Sequence, residues 1–286
     1  MRPERRCYSR SEVVKDPECV RFLQWALPRL RMSWPGYRKV RRQVCKRITR
    51  RLHALGLAGL AHYREYLETT PEEWSTLDSL CRVTISRFYL DRIAFDHLFD
   101  VVLPCLTEQV RVRGANHLDA WSIGCASGEE PCTLAIGLIL RADTVPAQPP
   151  FTIIASDADL GMLARAQAAC YDWSSVKALP RDWLRAAFDR ADHGYCLRSR
   201  YRERVRFLHQ DIRTALPGRH FDMVLCRNLV FTYFDAELQS AILEKLLVRL
   251  RPGGALIIGK HESLPARGRA LAPWFPKLGT YRREPH

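Results

Sequence analysis

Trp121-Ser122-Ile123-Gly124-Cys125-Ala126-Ser127-Gly128-Glu129-Glu130-Pro131 compresses a strand end, a loop of small residues and a helix start into one short stretch. An α/β sheet builds a nucleotide site in this way. Gly124 and Gly128, with Ala126 and Ser127 between them, let the backbone turn sharply and approach a ligand closely, which bulkier side chains would prevent. A phosphate is disfavoured. A phosphate loop offers free N–H groups and usually a lysine, whereas Glu129 and Glu130 occupy the first helical turn here. A cationic ligand fits that pair. Equally, the two glutamates could simply favour the positive end of the helix dipole, an effect of about 0.3 to 1 kcal/mol. Taken alone, the local sequence supports both readings alike.

Outward from this stretch, the chain from residue 111 to 286 reads as an α/β domain with a mostly parallel sheet. Apolar runs predict strands at Leu118–Gly124, Phe151–Ser156, Val205–Leu208, Asp222–Cys226 and Ala255–Gly259. Helical stretches at Glu130–Leu140, Leu160–Ala169 and Ala236–Leu250 separate them. Pro252-Gly253-Gly254 turns the chain into the last strand, and Gln148-Pro149-Pro150 makes a loop before the second. Between 184 and 205 an irregular, Arg-rich segment with a turn at Asp192-His193-Gly194 predicts a short hairpin insertion.

Residues 1–110 predict a small helical domain, because apolar residues recur at spacings of three and four. Thr70-Pro71-Glu72-Glu73 offers an N-cap, a first-turn proline and a capping-box glutamate, and Asp91 can cap the helix that follows it. From 36 to 55 one helix face carries Val40, Val44, Ile48, Leu52 and Leu55. Its other side holds Arg38, Lys39, Arg41, Arg42, Lys46, Arg47, Arg50 and Arg51, with no acid among them. A solvated face is the ordinary reading of such a run. Solvated helices usually mix both signs, so the unmixed charge points instead to a surface for an acidic partner.

The 286 residues are 47% hydrophobic, enough for a substantial core, and carry a net charge of +14. Residues 1–110 hold 20 basic and 13 acidic side chains, against 25 and 18 in the remainder, so the chain has no basic tail and any polyanion surface must be assembled by folding. The ten cysteines form no C-x-x-C pair, which argues against zinc fingers, and no metal site is visible. No apolar secretory stretch follows Arg2, Arg5 and Arg6, and no apolar run is long enough to insert into a membrane. A cytoplasmic protein with reduced thiols is therefore expected.

In an open α/β sheet ligands bind beyond the carboxyl ends of the strands, and the residues there are unusually polar. They are Gly124 to Glu130, then Asp157 and Asp159, then Asp211, then Arg227 and Asn228. An acid ending the second strand can accept from both hydroxyls of a ribose, and Asp211 could accept from an exocyclic amine. Each acid alone is more often a helix cap. Together they suit a nucleoside with a cationic, amino-acid-like arm, and S-adenosylmethionine is the common cofactor of that description.

With these residues assembled, the chain resembles, as a divergent member, the CheR family of chemoreceptor glutamate methyltransferases. The likeness runs through Trp121–Pro131, Ala155–Asp159, Phe221–Asn228, Tyr233-Phe234-Asp235 and Leu250–Gly254. Upstream, the basic helix after Gly36 and Thr84-Ile85-Ser86-Arg87-Phe88-Tyr89 join it, the latter similar to the family's Thr/Asn-x-Thr-x-Phe-Phe-Arg segment. The resemblance implies a helical N-terminal domain, a Rossmann-like class I methyltransferase domain, and S-adenosylmethionine held between them. It implies that Glu130 meets the methionine ammonium, Asp157 the ribose, and Asp211 with Ile212 the adenine side. Cys226, Arg227 and Asn228 would lie under the sulfonium, with Gly124 and Gly128 in the cofactor loop and Thr84 and Ser86 in place of the family's nearby asparagine and threonine.

Two departures stand out. Leu90 occupies the position of an arginine that, in the family, lies near the cofactor and the acceptor carboxylate. Arg227–Asp235 is also one residue longer than the family's equivalent, so either Tyr233 or Thr232 matches its active-site tyrosine; anchoring on Tyr-Phe-Asp selects Tyr233. Methyl transfer from a sulfonium is an in-line displacement governed by positioning and charge, and a carboxylate acceptor needs no base. Tyr233, Asn228 and Arg227, with Arg87 nearby, suit the orienting of such an acceptor, while His261 after the last strand reads as a structural donor. The expected activity is O-methylation of a protein carboxylate, the basic helix guiding an acidic, receptor-type surface. RNA or a small molecule is the alternative acceptor, ranked lower because exposed aromatic platforms are missing, and a cofactor-binding regulator without turnover is a third reading. The short 184–205 insertion argues against tethering to a receptor tail.

Overall fold

The computed structural model describes residues 16–142, 148–192, 194–265 and 270–284; Arg2, Arg5, Arg6, Cys7 and His193 lie outside them. Two compact units divide the chain, Met1–Val83 and Thr84–His286. The division falls well before residue 110 because Phe95, Leu98, Phe99 and Val102 join the core built around the sheet.

The first unit contains α1 (Asp16–Ala26), α2 (Trp34–Tyr37), α3 (Arg41–Leu55), α4 (Leu60–Thr69) and α5 (Glu73–Cys81). The single basic helix expected over 36–55 is broken: a turn in which Val40 N–H donates to Tyr37 C=O (3.1 Å) separates α2 from α3. Val44, Ile48 and Leu52 are buried as the apolar spacing requires, and Val40 and Leu55 are half-buried at the ends of the stripe. The basic side is less uniform than its sequence. Arg51 makes a two-point contact with the buried Glu73 (2.9 and 2.7 Å), which also accepts from Tyr63 Oη (2.7 Å). Glu73 therefore builds the core of this unit rather than the capping box expected with Thr70. Arg41 pairs with Asp16 at 2.9 Å, and Arg47 donates to the carbonyls of Leu80 and Arg82. Arg38, Lys39, Arg42, Lys46 and Arg50 remain exposed.

The second unit opens with α6 (Arg92–His97) and α7 (Leu103–Val112), and then alternates strands and helices. They are β1 (Leu118–Ile123), α8 (Glu129–Leu140), β2 (Phe151–Asp157), α9 (Leu160–Ala168), β3 (Cys170–Tyr171), α10 (Trp173–Val176), α11 (Arg181–Ala187), β4 (Phe188–Ala191), β5 (Gly194–Leu197) and α12 (Ser199–Arg202). After them come β6 (Val205–His209), β7 (Phe221–Cys226), α13 (Val230–Tyr233), α14 (Ala236–Arg249), β8 (Leu250–Ile258), β9 (Leu271–Phe275) and β10 (Thr280–Arg283). The seven-stranded sheet has the order β6-β2-β1-β7-β8-β10-β9, parallel from β6 to β8, with β10 antiparallel to both its neighbours. This is the mostly parallel, class I methyltransferase-like architecture expected. The chain leaves β1 toward β2 and returns to β7 on the other side, which makes the carboxyl ends of these strands the natural ligand crevice. Helix packing is close: a Cβ on Gly137 of α8 would lie 2.0 Å from Phe99 Cζ.

The predicted hairpin at 184–205 is part of a larger feature. β4 and β5 pair antiparallel, and β3 adds to β5 to form a separate sheet of order β3-β5-β4. The thiols also depart from expectation. Cys170 and Cys196 face each other across β3 and β5 and form a disulfide, as do Cys19 of α1 and Cys45 of α3. The fold brings each pair within bonding reach, which the linear spacing did not reveal. Cys81, Cys105, Cys125, Cys132 and Cys226 are free.

Candidate active site at the carboxyl ends of the strands

Between β1 and α8 the backbone does what its small residues permit. Gly124, Ala126 and Gly128 all adopt positive φ (68°, 47° and 89°). A Cβ on Gly124 would lie 2.6 Å from Leu229 Cδ2, so the loop packs directly on the segment after β7. The N–H groups of Gly124 and Cys125 both donate to Ser156 C=O (2.8 and 3.1 Å), fastening the loop to the end of β2.

The two glutamates separate in role. Glu129 is buried and accepts from Ser127 Oγ at 3.0 Å, bracing the loop from inside. Glu130 accepts from Ser122 Oγ (2.9 Å) and Arg227 Nη1 (3.2 Å). The N-cap position itself is Gly128, which has no side chain to cap with. Burial pushes the Glu130 carboxyl up, while the Arg227 charge and the hydrogen bonds from Ser122 and Arg227 oppose that rise.

Arg227 is the hub of the site. Its guanidinium is 3% exposed and lies over the Phe95 ring at 5.3 Å. Beyond Glu130 it reaches Asp91 Oδ2 and Leu90 C=O, both at 3.3 Å, while its Nε is buried with no hydrogen-bond partner among the described residues. Asp91 sits at the start of α6 but does not cap it: its carboxylate faces Arg227 and Lys260 Nζ (3.5 Å) instead. The segment around it is held by Tyr89 N–H donating to Thr133 Oγ1 (3.0 Å) and by the buried Phe88 ring, edge-on to Tyr171 and Phe188.

Asp157 accepts from Ala126 N–H and Asp159 N–H, each at 2.8 Å, so it ties the loop together, while Asp159 takes the capping role on α9 (3.0 Å to Met162 N–H). Asp211 is engaged by Arg213 through both oxygens, as close as 2.6 Å, and is thus a different acceptor from the open acid expected; Ile212 beside it is buried. Thr84 and Ser86 are half-buried on the segment leading to Phe88, and Arg87 is exposed.

After β7 and β8 a second acid appears that the sequence reading passed over. Glu262 accepts from Asn228 N–H (2.8 Å), Gly259 N–H (2.6 Å) and Thr232 Oγ1 (2.5 Å). Asn228 has φ 55° and an exposed side chain that crowds Gly259. Thr232 is thereby occupied. Tyr233, one residue on, has its hydroxyl pKa raised by burial and then by the charge of Glu262, so it stays protonated. Cys125 and Cys226 are likewise kept as neutral thiols by burial. His261 is exposed, and Glu262 takes the inward position next to it. Reading the residues after the fifth strand as closely as those after the first four would have found both Lys260 and Glu262.

Residues 84–274 match the family model described as CheR methyltransferase, SAM binding domain. A chemotaxis protein methyltransferase of Listeria innocua is 33% identical over 186 residues, covering 65% of this chain and 68% of that protein. Chemotaxis protein methyltransferase 2 of Vibrio cholerae is 28% identical over 258 residues, covering 88% and 87%. The Escherichia coli K12 chemotaxis protein methyltransferase is 29% identical, covering 78% and 77%.

Proposed function

Because the chain belongs to the CheR methyltransferase family, we propose that this S-adenosylmethionine-dependent protein methyltransferase esterifies glutamate carboxylates on acidic, receptor-type helices. S-adenosylmethionine, when bound, supplies a methyl group on a sulfonium already activated for displacement. The residues present suit it. The orphaned Nε of Arg227 calls for an anionic acceptor beside Glu130, and an amino-acid arm brings a carboxylate to the one and an ammonium to the other. Asp157 would take the ribose hydroxyls, and Ile212 with the Arg213-bound Asp211 the adenine side.

A carboxylate acceptor is favoured above all by the match to chemotaxis protein methyltransferases, and a neutral phenol at Tyr233 suits it. That phenol can donate a hydrogen bond to an anion but cannot serve as a base. An ionised carboxylate needs no base, only orientation and partial loss of water. An ionised oxygen that took a methyl group from such a sulfonium would have no proton to lose, so the task left to the chain's own residues would be orientation. Asn228 and Tyr233 would hold the acceptor in line, a positioning contribution rather than an acid–base one. The exposed Arg38, Lys39, Arg42, Lys46 and Arg50 would attract an acidic partner. We place the protein on the cytoplasmic side of the membrane on the strength of the family match and not of its thiols, two pairs of which are bonded; among the described residues no helix is long and apolar enough to cross a membrane.

The test uses methyl-labelled cofactor with a chemoreceptor cytoplasmic fragment containing its glutamate sites. Label should appear in protein and be released by mild base as methanol. Calorimetry should show S-adenosylhomocysteine binding to the wild type and a loss of roughly tenfold or more for Asp157→Ala. Base-stable label, or unchanged binding by that variant, would contradict the reading.

A further inference from the structure

The strand-end site gathers acids: Arg227 holds Glu130 and Asp91, and next to it the Asn228 N–H and the Thr232 hydroxyl hold Glu262. Such a site repels an incoming carboxylate unless a cation faces it. Arg227 is not available to an acceptor from solvent, since it is 3% exposed and its two terminal nitrogens already serve Glu130, Asp91 and Leu90. Residue 90, a leucine, adds no charge. Lys260 is different in each respect. It follows the carboxyl end of β8, is 49% exposed, and has Asp91 Oδ1 at 3.5 Å as an anchor that leaves its other donors open.

We propose that Lys260 is the acceptor-orienting cation of this enzyme: Asp91 holds its ammonium at the mouth of the site, where it receives the substrate carboxylate while Arg227 serves the cofactor. The assignment rests on the carboxylate-acceptor reading above. It divides the labour by depth, a buried guanidinium for the ligand that binds inside and a half-exposed ammonium for the one that arrives from solvent. A lysine on a flexible stem can follow a carboxylate from encounter to the in-line position, and its three donors allow Asp91 and the substrate to be held together.

The experiment measures initial rates with the chemoreceptor cytoplasmic fragment, and S-adenosylhomocysteine binding by calorimetry, for wild type, Lys260→Gln and Lys260→Arg. Lys260→Gln should raise KM for the fragment, lowering kcat/KM roughly tenfold or more, with cofactor affinity within about twofold of wild type. Lys260→Arg should recover most of the loss, because it restores the charge. Weakened cofactor binding with an unchanged fragment KM would reassign Lys260 to the cofactor and overturn the proposal. Unchanged kinetics in Lys260→Gln would overturn it as well. If the wild type binds S-adenosylhomocysteine yet forms no base-labile ester on the fragment, the carboxylate reading itself fails and the Lys260 assignment falls with it. The two failures are therefore told apart by the wild type alone.

Discussion

Glu130 illustrates how a single side chain can make binding depend on pH. Its carboxyl titrates above the ordinary glutamate value of about 4.3 because it is buried, and only the ionised form can receive an ammonium. S-adenosylhomocysteine affinity should therefore fall, as pH is lowered, earlier than an exposed glutamate would allow. Glu130→Gln should both weaken binding, by about 1.5 to 3 kcal/mol, and flatten that pH dependence; calorimetry across pH 4 to 7 reads both. For folding the sign is opposite. A raised carboxyl pKa means that the native chain holds its proton where the unfolded chain has lost it, so this residue's contribution to stability improves as pH falls through that range. In the sequence Glu130 drew attention only together with Glu129, because the pair follows a strand and a glycine-rich turn, and the family resemblance chose between them. Asp91 was not legible as a site residue, because its local context is that of a helix cap. Its partner Arg227 lies 136 residues away, a distance no local pattern spans.

Elements were legible in proportion to how much of their burial shows as an unbroken pattern. β1 and β7 are buried at every position and read at once from the sequence. β9 did not, since Pro273 interrupts it. The residue is tolerated there because β9 is the outer strand of the sheet and one lost donor need not pair. β3, with two residues, is too short to carry an alternation, and so the small sheet looked like a lone hairpin. The break between α2 and α3 escaped notice for the opposite reason: basic residues continue through it without change. Within α8, Gly137 offers a test of packing against propensity. Replacing a mid-helix glycine by alanine ordinarily stabilises by about 1 kcal/mol. Here the added methyl would meet the Phe99 ring at 2.0 Å, and overpacking costs about 1 to 3 kcal/mol. Gly137→Ala should therefore lower the urea midpoint of unfolding rather than raise it.

Across the molecule, the unit boundary redistributes the charge. Residues 1–83 hold 18 basic and 9 acidic side chains, so the first unit carries +9 of the net +14. Because Arg41, Arg47 and Arg51 are used internally, the α2–α3 region offers a partner five exposed basic positions rather than eight. Arg42→Glu with Arg50→Glu should raise KM for the receptor fragment and weaken its dependence on salt, while leaving S-adenosylhomocysteine affinity unchanged; rates at 50 and 300 mM salt would show this. The two disulfides carry a different consequence. Cys19–Cys45 closes wholly inside the first unit and Cys170–Cys196 wholly inside the second, each across a sequence separation of 26. In the chain-entropy picture a loop of that size takes about 3 kcal/mol of freedom from the unfolded state. Opening either one thus acts first on the unit that contains it, so a change in redox environment would be felt at two separate places in the chain.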